Sequence, residues 1–209
     1  TLERDLSSYV MDNILYKVSF PAEFHAQTAA EAALKLHIKL ADKLEQIDKI
    51  MIETQEPGMR IISKKGPLTN YADRDHCIEY IVAWCLLNGA LDSDSYSDNA
   101  ASDTRIDVLR DKTITLENQK YTEIYYDLNK RAIPNKVIVR LNSGEEFKEE
   151  ILYPLGHKNR RMEANSFLKE KFVKSLDNIG LNKDKLIDLY DVDDLDSINI
   201  YEILENIAK

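Results

Sequence analysis

Apolar and polar positions change their period several times along this 209-residue chain. The clearest stretch is 27–44, where Ala29, Ala30, Ala32, Ala33, Leu34, Leu36, Ile38, Leu40, Ala41 and Leu44 cover more than one helical face. A helix of that kind is packed on two sides, and its alanines allow close approach of a neighbour. A second long helix is predicted over 71–87. Thr69 or Asn70 can cap it, Asp73 and Asp75 sit in its first turn, and Gly89 supplies the stop. Cys77, Tyr80, Ile81, Trp84 and Leu87 form its apolar stripe. Strand character appears over 14–20, ended by Pro21, and again over 49–54 and 113–116. Val137, Val139 and Leu141 alternate with Lys136, Ile138 and Arg140, then Asn142-Ser143-Gly144-Glu145 reads as a hairpin turn into a return strand over 146–153. Residues 55–70 and 91–103 read as loops, 1–13 as a lead-in, and 106–109 as a short helix. Three helices are predicted over 163–178, 182–190 and 197–208. The order of elements is mixed and without internal repeat, which predicts an α+β fold rather than an alternating parallel one.

Composition narrows the class. Hydrophobic residues make up 44% of the chain against 31% charged, with 6 Gly and 5 Pro, which excludes disorder and low complexity. The longest apolar run, 81–87, is far short of the ~20 residues that span a bilayer, so a soluble protein without a membrane partner is expected. The net charge of −9 carries no compensating basic stripe, which argues against nucleic acid. Cys77 and Cys85 lie on one predicted helix about 12 Å apart, beyond disulfide reach. They read as core thiols in a reducing compartment. The chain begins with Thr1, as a processed protein or a piece of a longer one would.

Three segments concentrate groups that do chemistry. In FPAEFHAQT, residues 20–28, His25 precedes the first turn of the long helix. In KKGPLTNYADRDHC, residues 64–77, two lysines and a Gly-Pro turn lead into Asn70, Arg74 and His76. Asp73, His76 and Tyr80 share one side of the predicted helix by i, i+3 and i+4 spacing, which suits Asp73 either to orient His76 or to complement the helix dipole. In YPLGHKNRRM, residues 153–162, five consecutive side chains can donate hydrogen bonds, among them His157, Lys158 and Arg160. Lysines, arginines and helix N-termini together suit a carboxylate ligand. Each feature has a plainer reading as well: a capping or buried histidine, an ordinary helix cap, a solvated basic loop. The acidic stretch from Asp184 to Glu205 reads as a solvated face. No phosphate-loop or metal-ligand motif is present.

These same segments carry a resemblance. FPAEFHAQTAAEAAL, RIISKKGPLTNYADRDHCIEYIVA and YPLGHKNRRM, together with SDTRIDVLRDKT and KVIVRLNSGEEF, resemble the C-terminal part of the MmgE/PrpD family, in order and over most of the chain. Tyr71 departs from the proline usual before Ala-Asp-Arg-Asp-His, and Trp84 replaces a smaller residue. The resemblance implies a small α+β lid domain with an antiparallel sheet, over residues 1–153, and helices over 154–209 that return to an all-helical domain. It implies that the N-terminal half of the helical domain is absent. That absence predicts an exposed apolar surface on the alanine-rich helix, and hence self-association.

For function, the resemblance implies a hydro-lyase that removes water from 2-methylcitrate to give 2-methyl-cis-aconitate, in propionate breakdown through the methylcitrate cycle. A cytoplasmic homodimer acting on a tricarboxylate, with no metal and no cofactor, is implied. His76 and then His25 are the candidates for catalysis. Lys65, Asn70, Arg74, His157, Lys158 and Arg160 are the candidates for substrate binding. The chain alone is expected to be inactive. Two alternatives stay open: another activity of the family such as cis-aconitate decarboxylation, and a non-catalytic module that folds or dimerises.

Overall fold

A computed structural model describes residues 10, 14–40, 42–176, 183–190 and 199–207. The elements in chain order are α1 (Gln27–Leu40), β1 (Ile47–Thr54), α2 (Glu56–Ile62), α3 (Tyr71–Asp75), α4 (Ile78–Asn88), α5 (Asp98–Ala101), α6 (Thr104–Asp111), β2 (Thr113–Glu117), α7 (Gln119–Tyr126), β3 (Asn135–Leu141), β4 (Glu146–Ile151), α8 (Arg161–Ser175), α9 (Lys183–Tyr190) and α10 (Ile200–Ile207). Residues 1–160 form one compact unit and 161–209 a second.

The first unit is built on one four-stranded sheet of order β2-β1-β3-β4. β3 and β4 pair antiparallel across the hairpin, and β1 pairs antiparallel with β3. β2 adds a parallel edge beside β1, with Ile50 opposite Thr113. A parallel neighbour needs a long crossover, and the helical segment α2–α6 provides it. In β1 the inward residues are Ile47, Ile50, Ile52 and Thr54, which is not a strict alternation. The register shift between Ile47 and Lys49 absorbs the odd step.

α1 packs against β3, β4 and α4, and α4 packs in turn against α6. Ala29, Ala30, Ala32, Ala33, Leu36 and Leu40 are all fully buried. The two-sided packing read from the alanines is what the structure has. The predicted exposed apolar surface on this helix is not there: Ile38 alone among its large apolar residues is exposed, because the sheet and α4 cover both faces within the unit. His37 is explained by the same packing. Its Nδ1 lies 2.8 Å from the Leu86 carbonyl, and its ring fills the space where a side chain at Gly89 would be. Gly89 itself caps α4 in the left-handed conformation, φ 65°.

Three expectations change. Residues 14–20 form no strand; Val18 is buried beside Gly156, whose φ of 91° and close approach to the Tyr16 carbonyl leave no room for a Cβ. The loop expected over 55–70 contains α2, which Pro57 starts at its first turn and Gln55 caps with a 2.8 Å bond from the Gly58 amide. The single helix expected over 71–87 is broken. α3 ends at Asp75, His76 takes φ −108° ψ 28°, and Cys77 is extended before α4 begins. α7 was not foreseen. The second unit holds α8, α9 and α10, close to the helices expected; Asp191, Asp193, Asp194 and Asp196 of the acidic stretch lie outside the described residues.

Candidate active site

The break after α3 is what assembles the site. The Glu23 amide donates to the Asp75 carbonyl at 3.3 Å, so the segment before α1 is tied to the turn that carries His76. Two histidines 51 positions apart in sequence thereby sit on adjoining turns. The electrostatics show the same proximity. Burial pushes the Glu23 carboxyl up, but hydrogen bonds and charge from His25, with a contribution from His76, outweigh it and leave the net shift downward.

His25 lies in the 3-10 turn Phe24–Ala26, capped by Glu23. Its Nδ1 is 2.8 Å from Glu23 Oε1, and its own amide donates to Oε2 at 2.7 Å. An ionised carboxylate only accepts, so Nδ1 carries a proton. On the other side of the ring, Nε2 is 3.2 Å from the Tyr125 hydroxyl. The backbone is held too: Asn135 Nδ2 donates to the His25 carbonyl and to Thr28 Oγ1, both at 2.7 Å. His76 is more open. Its Nδ1 is 2.5 Å from Asp75 Oδ1, and 46% of its side chain is exposed against 12% for His25. Among the described residues its Nε2 has no hydrogen-bond partner. Asp73 and His76 make no hydrogen bond to each other among the described residues. Asp73 accepts from Thr69 and Asn70, and the Thr69 bonds, with the nearby Lys64, outweigh desolvation to hold its carboxyl below the usual range.

The remaining candidates have structural partners. Asn70 Oδ1 accepts the Asp73 amide at 2.9 Å and caps α3. Arg74 is buried, bonds the Tyr96 carbonyl at 2.8 Å and pairs with Asp98 at 2.7 Å, fastening α3 to the segment ahead of α5. Lys65 donates to the Thr113 carbonyl at 2.9 Å, on the wall of a cleft of about 270 Å³ shared with Lys64, Glu79 and Arg110. Arg160 grips Glu31 of α1 with two bonds, 2.8 and 3.1 Å, and donates to the Tyr153 carbonyl. His157 is buried against the Tyr153 ring, centroids 4.6 Å apart, and accepts the Asn159 amide. Lys158 lines a small separate cavity with Leu15, Arg131 and His157. The fold therefore joins His25 to His76 and uses much of the rest to hold loops.

Sequence reasoning missed Glu23, Asp75 and Tyr125. A carboxylate two residues before His25 and another directly before His76 were visible signals. Tyr125 is 100 residues from His25, and nothing local announces it.

Residues 20–194 match the MmgE/PrpD C-terminal domain. The chain belongs to the MmgE/PrpD family. It is 45% identical over 90% of its length to the mitochondrial 2-methylcitrate dehydratase of Yarrowia lipolytica. It is 49% identical over 83% of its length to the 2-methylcitrate dehydratase of Salmonella typhimurium, and 48% to that of Escherichia coli K12. The chain spans 37–40% of the length of these relatives and corresponds to their C-terminal portion. Among the described residues no helix is long and apolar enough to cross a membrane.

Proposed function

We propose that this chain is the C-terminal portion of a 2-methylcitrate dehydratase, a hydro-lyase of propionate catabolism that removes water from 2-methylcitrate to give 2-methyl-cis-aconitate. The observation that carries the reading is the joined pair of histidine turns, in a chain 45–49% identical to proteins of that name. Dehydration needs a base for the proton next to a carboxylate and an acid for the departing hydroxyl. Two imidazoles of different exposure, each oriented by its own carboxylate, suit that division. His76, open and with Asp75 fixing its Nδ1 proton, presents Nε2 for proton transfer. His25 is the second acid–base group. Lys65 and Lys158 are the cations we assign to substrate carboxylates. Asn70, Arg74, His157 and Arg160 hold the surrounding loops, and any carboxylate contact they make is secondary. We place the enzyme in the cytoplasm as a homodimer. The closed core of the first unit also supports a second reading, a folded module without catalysis of its own.

Turnover of 2-methylcitrate, followed by the ultraviolet absorbance of the conjugated product, tests the proposal. The 209-residue chain assayed alone is expected to give little or no product. In a full-length relative, replacing the residue equivalent to His76 with alanine should lower kcat about 100-fold or more, the usual range for a lost acid–base group. Unchanged turnover in that variant would remove His76 from the mechanism.

A further inference from the structure

We propose that Tyr125 is a positioning residue for His25, the far end of a Glu23–His25–Tyr125 line that sets which imidazole nitrogen is basic. This rests on the dehydratase reading only for its consequence in turnover; the line itself is a matter of geometry. Glu23 can only accept, so it keeps a proton on Nδ1. The Tyr125 hydroxyl, 3.2 Å from Nε2, is raised above the ordinary phenol range by burial and by the Glu23 charge, so it stays protonated and donates. A neutral ring that donates at Nδ1 accepts at Nε2, and both partners then agree on one tautomer. With the proton on Nδ1, the ring's lone pair lies on Nε2, where the Tyr125 hydroxyl meets it.

Both ends of the line are anchored. Glu23 is fixed by the hydrogen bond its backbone N–H donates to the Asp75 carbonyl. Tyr125 sits on α7, whose start is fixed by Asn118: its backbone donates to Thr54 and its side chain to Glu53, 2.8 Å each. The Tyr125 ring meets Tyr126 edge-on with centroids 5.1 Å apart, and Tyr126 reaches back to Glu56 of α2 at 3.0 Å. The phenol is thus held from the sheet side while the imidazole is held by Glu23, ahead of α1. Neither could choose its partner by local sequence.

The test uses the 209-residue chain labelled with 15N-histidine, and needs no turnover. In the parent, His25 is expected to show one protonated nitrogen, Nδ1, and an upfield-shifted, hydrogen-bonded Nε2. Tyr125→Phe keeps the ring packing and removes the hydroxyl, and should move the His25 Nε2 resonance downfield toward the free imine position while the other three histidines stay unchanged. Tyr125→Phe should also leave the urea midpoint nearly where it was, which separates the effect from misfolding. An unmoved Nε2 resonance, or a parent His25 protonated at Nε2 when neutral, overturns the proposal. In a full-length dehydrating relative, the equivalent Tyr→Phe change should lower kcat about tenfold with KM unchanged. If the resonance moves and kcat does not, the line is real and His25 is not an acid–base group, so the failure falls on the dehydratase mechanism alone.

Discussion

Arg160 offers the sharpest contrast between what a basic loop suggests and what the fold does with it. Its guanidinium holds Glu31 of α1 through two parallel bonds of 2.8 and 3.1 Å, with side-chain exposures of 16% and 11%. A third bond, 2.7 Å, goes to the Tyr153 carbonyl. Arg160→Ala would leave the Glu31 carboxylate nearly buried with one partner, Lys35, which is half exposed. Breaking a buried pair from one side costs about 3–5 kcal/mol. Lys35 and the residual exposure reduce that, so we expect about 3 kcal/mol. Trp84 is the only tryptophan and lies on α4, within the first unit, so its fluorescence reports that unit alone. With a urea slope near 2 kcal/mol per molar, the midpoint should fall by about 1.5 M. Arg160→Lys keeps charge without the fork and should fall by about half as much. A double-mutant cycle with Glu31→Gln should give a coupling of at least about 1 kcal/mol. A midpoint shift for Arg160→Ala below about 0.3 M would refute the reasoning, because the Glu31 link would then contribute almost nothing to the unit.

Two further predictions concern α4. Glu79 is 1% exposed and accepts from Ser63 Oγ, the Lys64 amide and Thr115 Oγ1, so it joins α4 to the chain after α2 and to β2. Glu79→Ala strands these donors and should cost about 3 kcal/mol or more, read by the same fluorescence assay; a loss under about 1 kcal/mol would show that water replaces the carboxylate. Burial, with the Glu79 charge second, pushes the Cys77 thiol up to about 11, and burial pushes Cys85 higher still. The thiolate is the reactive form, so neither should react with a disulfide reagent at pH 8 in the folded protein, and both should react in urea. Rapid labelling of the native chain would contradict this.

The family was legible in the sequence because its signature resides in contiguous motifs. The α+β class was legible for a related reason. Periodicity records which face of each element is apolar, and the alanine pattern of α1 declared two buried faces before any partner was known. The hairpin β3–β4 followed from alternation around a turn whose glycine takes φ 87°. α7 escaped, because in eight residues the i, i+3, i+4 spacing of Tyr121, Ile124 and Tyr125 completes only one repeat. The break at His76 escaped as well. Caps and apolar spacing favour one helix across 71–87, and local propensity is a weak term beside tertiary contacts.

What the sequence determined by itself is the set of groups available: two histidines, each with a carboxylate within two positions, and two basic loops. Only the tertiary structure decided their use. It ended α3 at Asp75, where the carbonyl could take the Glu23 amide, and so brought His25 and His76 together. It delivered Tyr125 to His25 across 100 residues, and turned Arg74 inward onto the Tyr96 carbonyl and Arg160 onto Glu31. The physical reason is range. Periodicity, caps and turns are decided within a few residues, whereas the partner of a buried charge or an imidazole nitrogen is whatever the packed fold places against it.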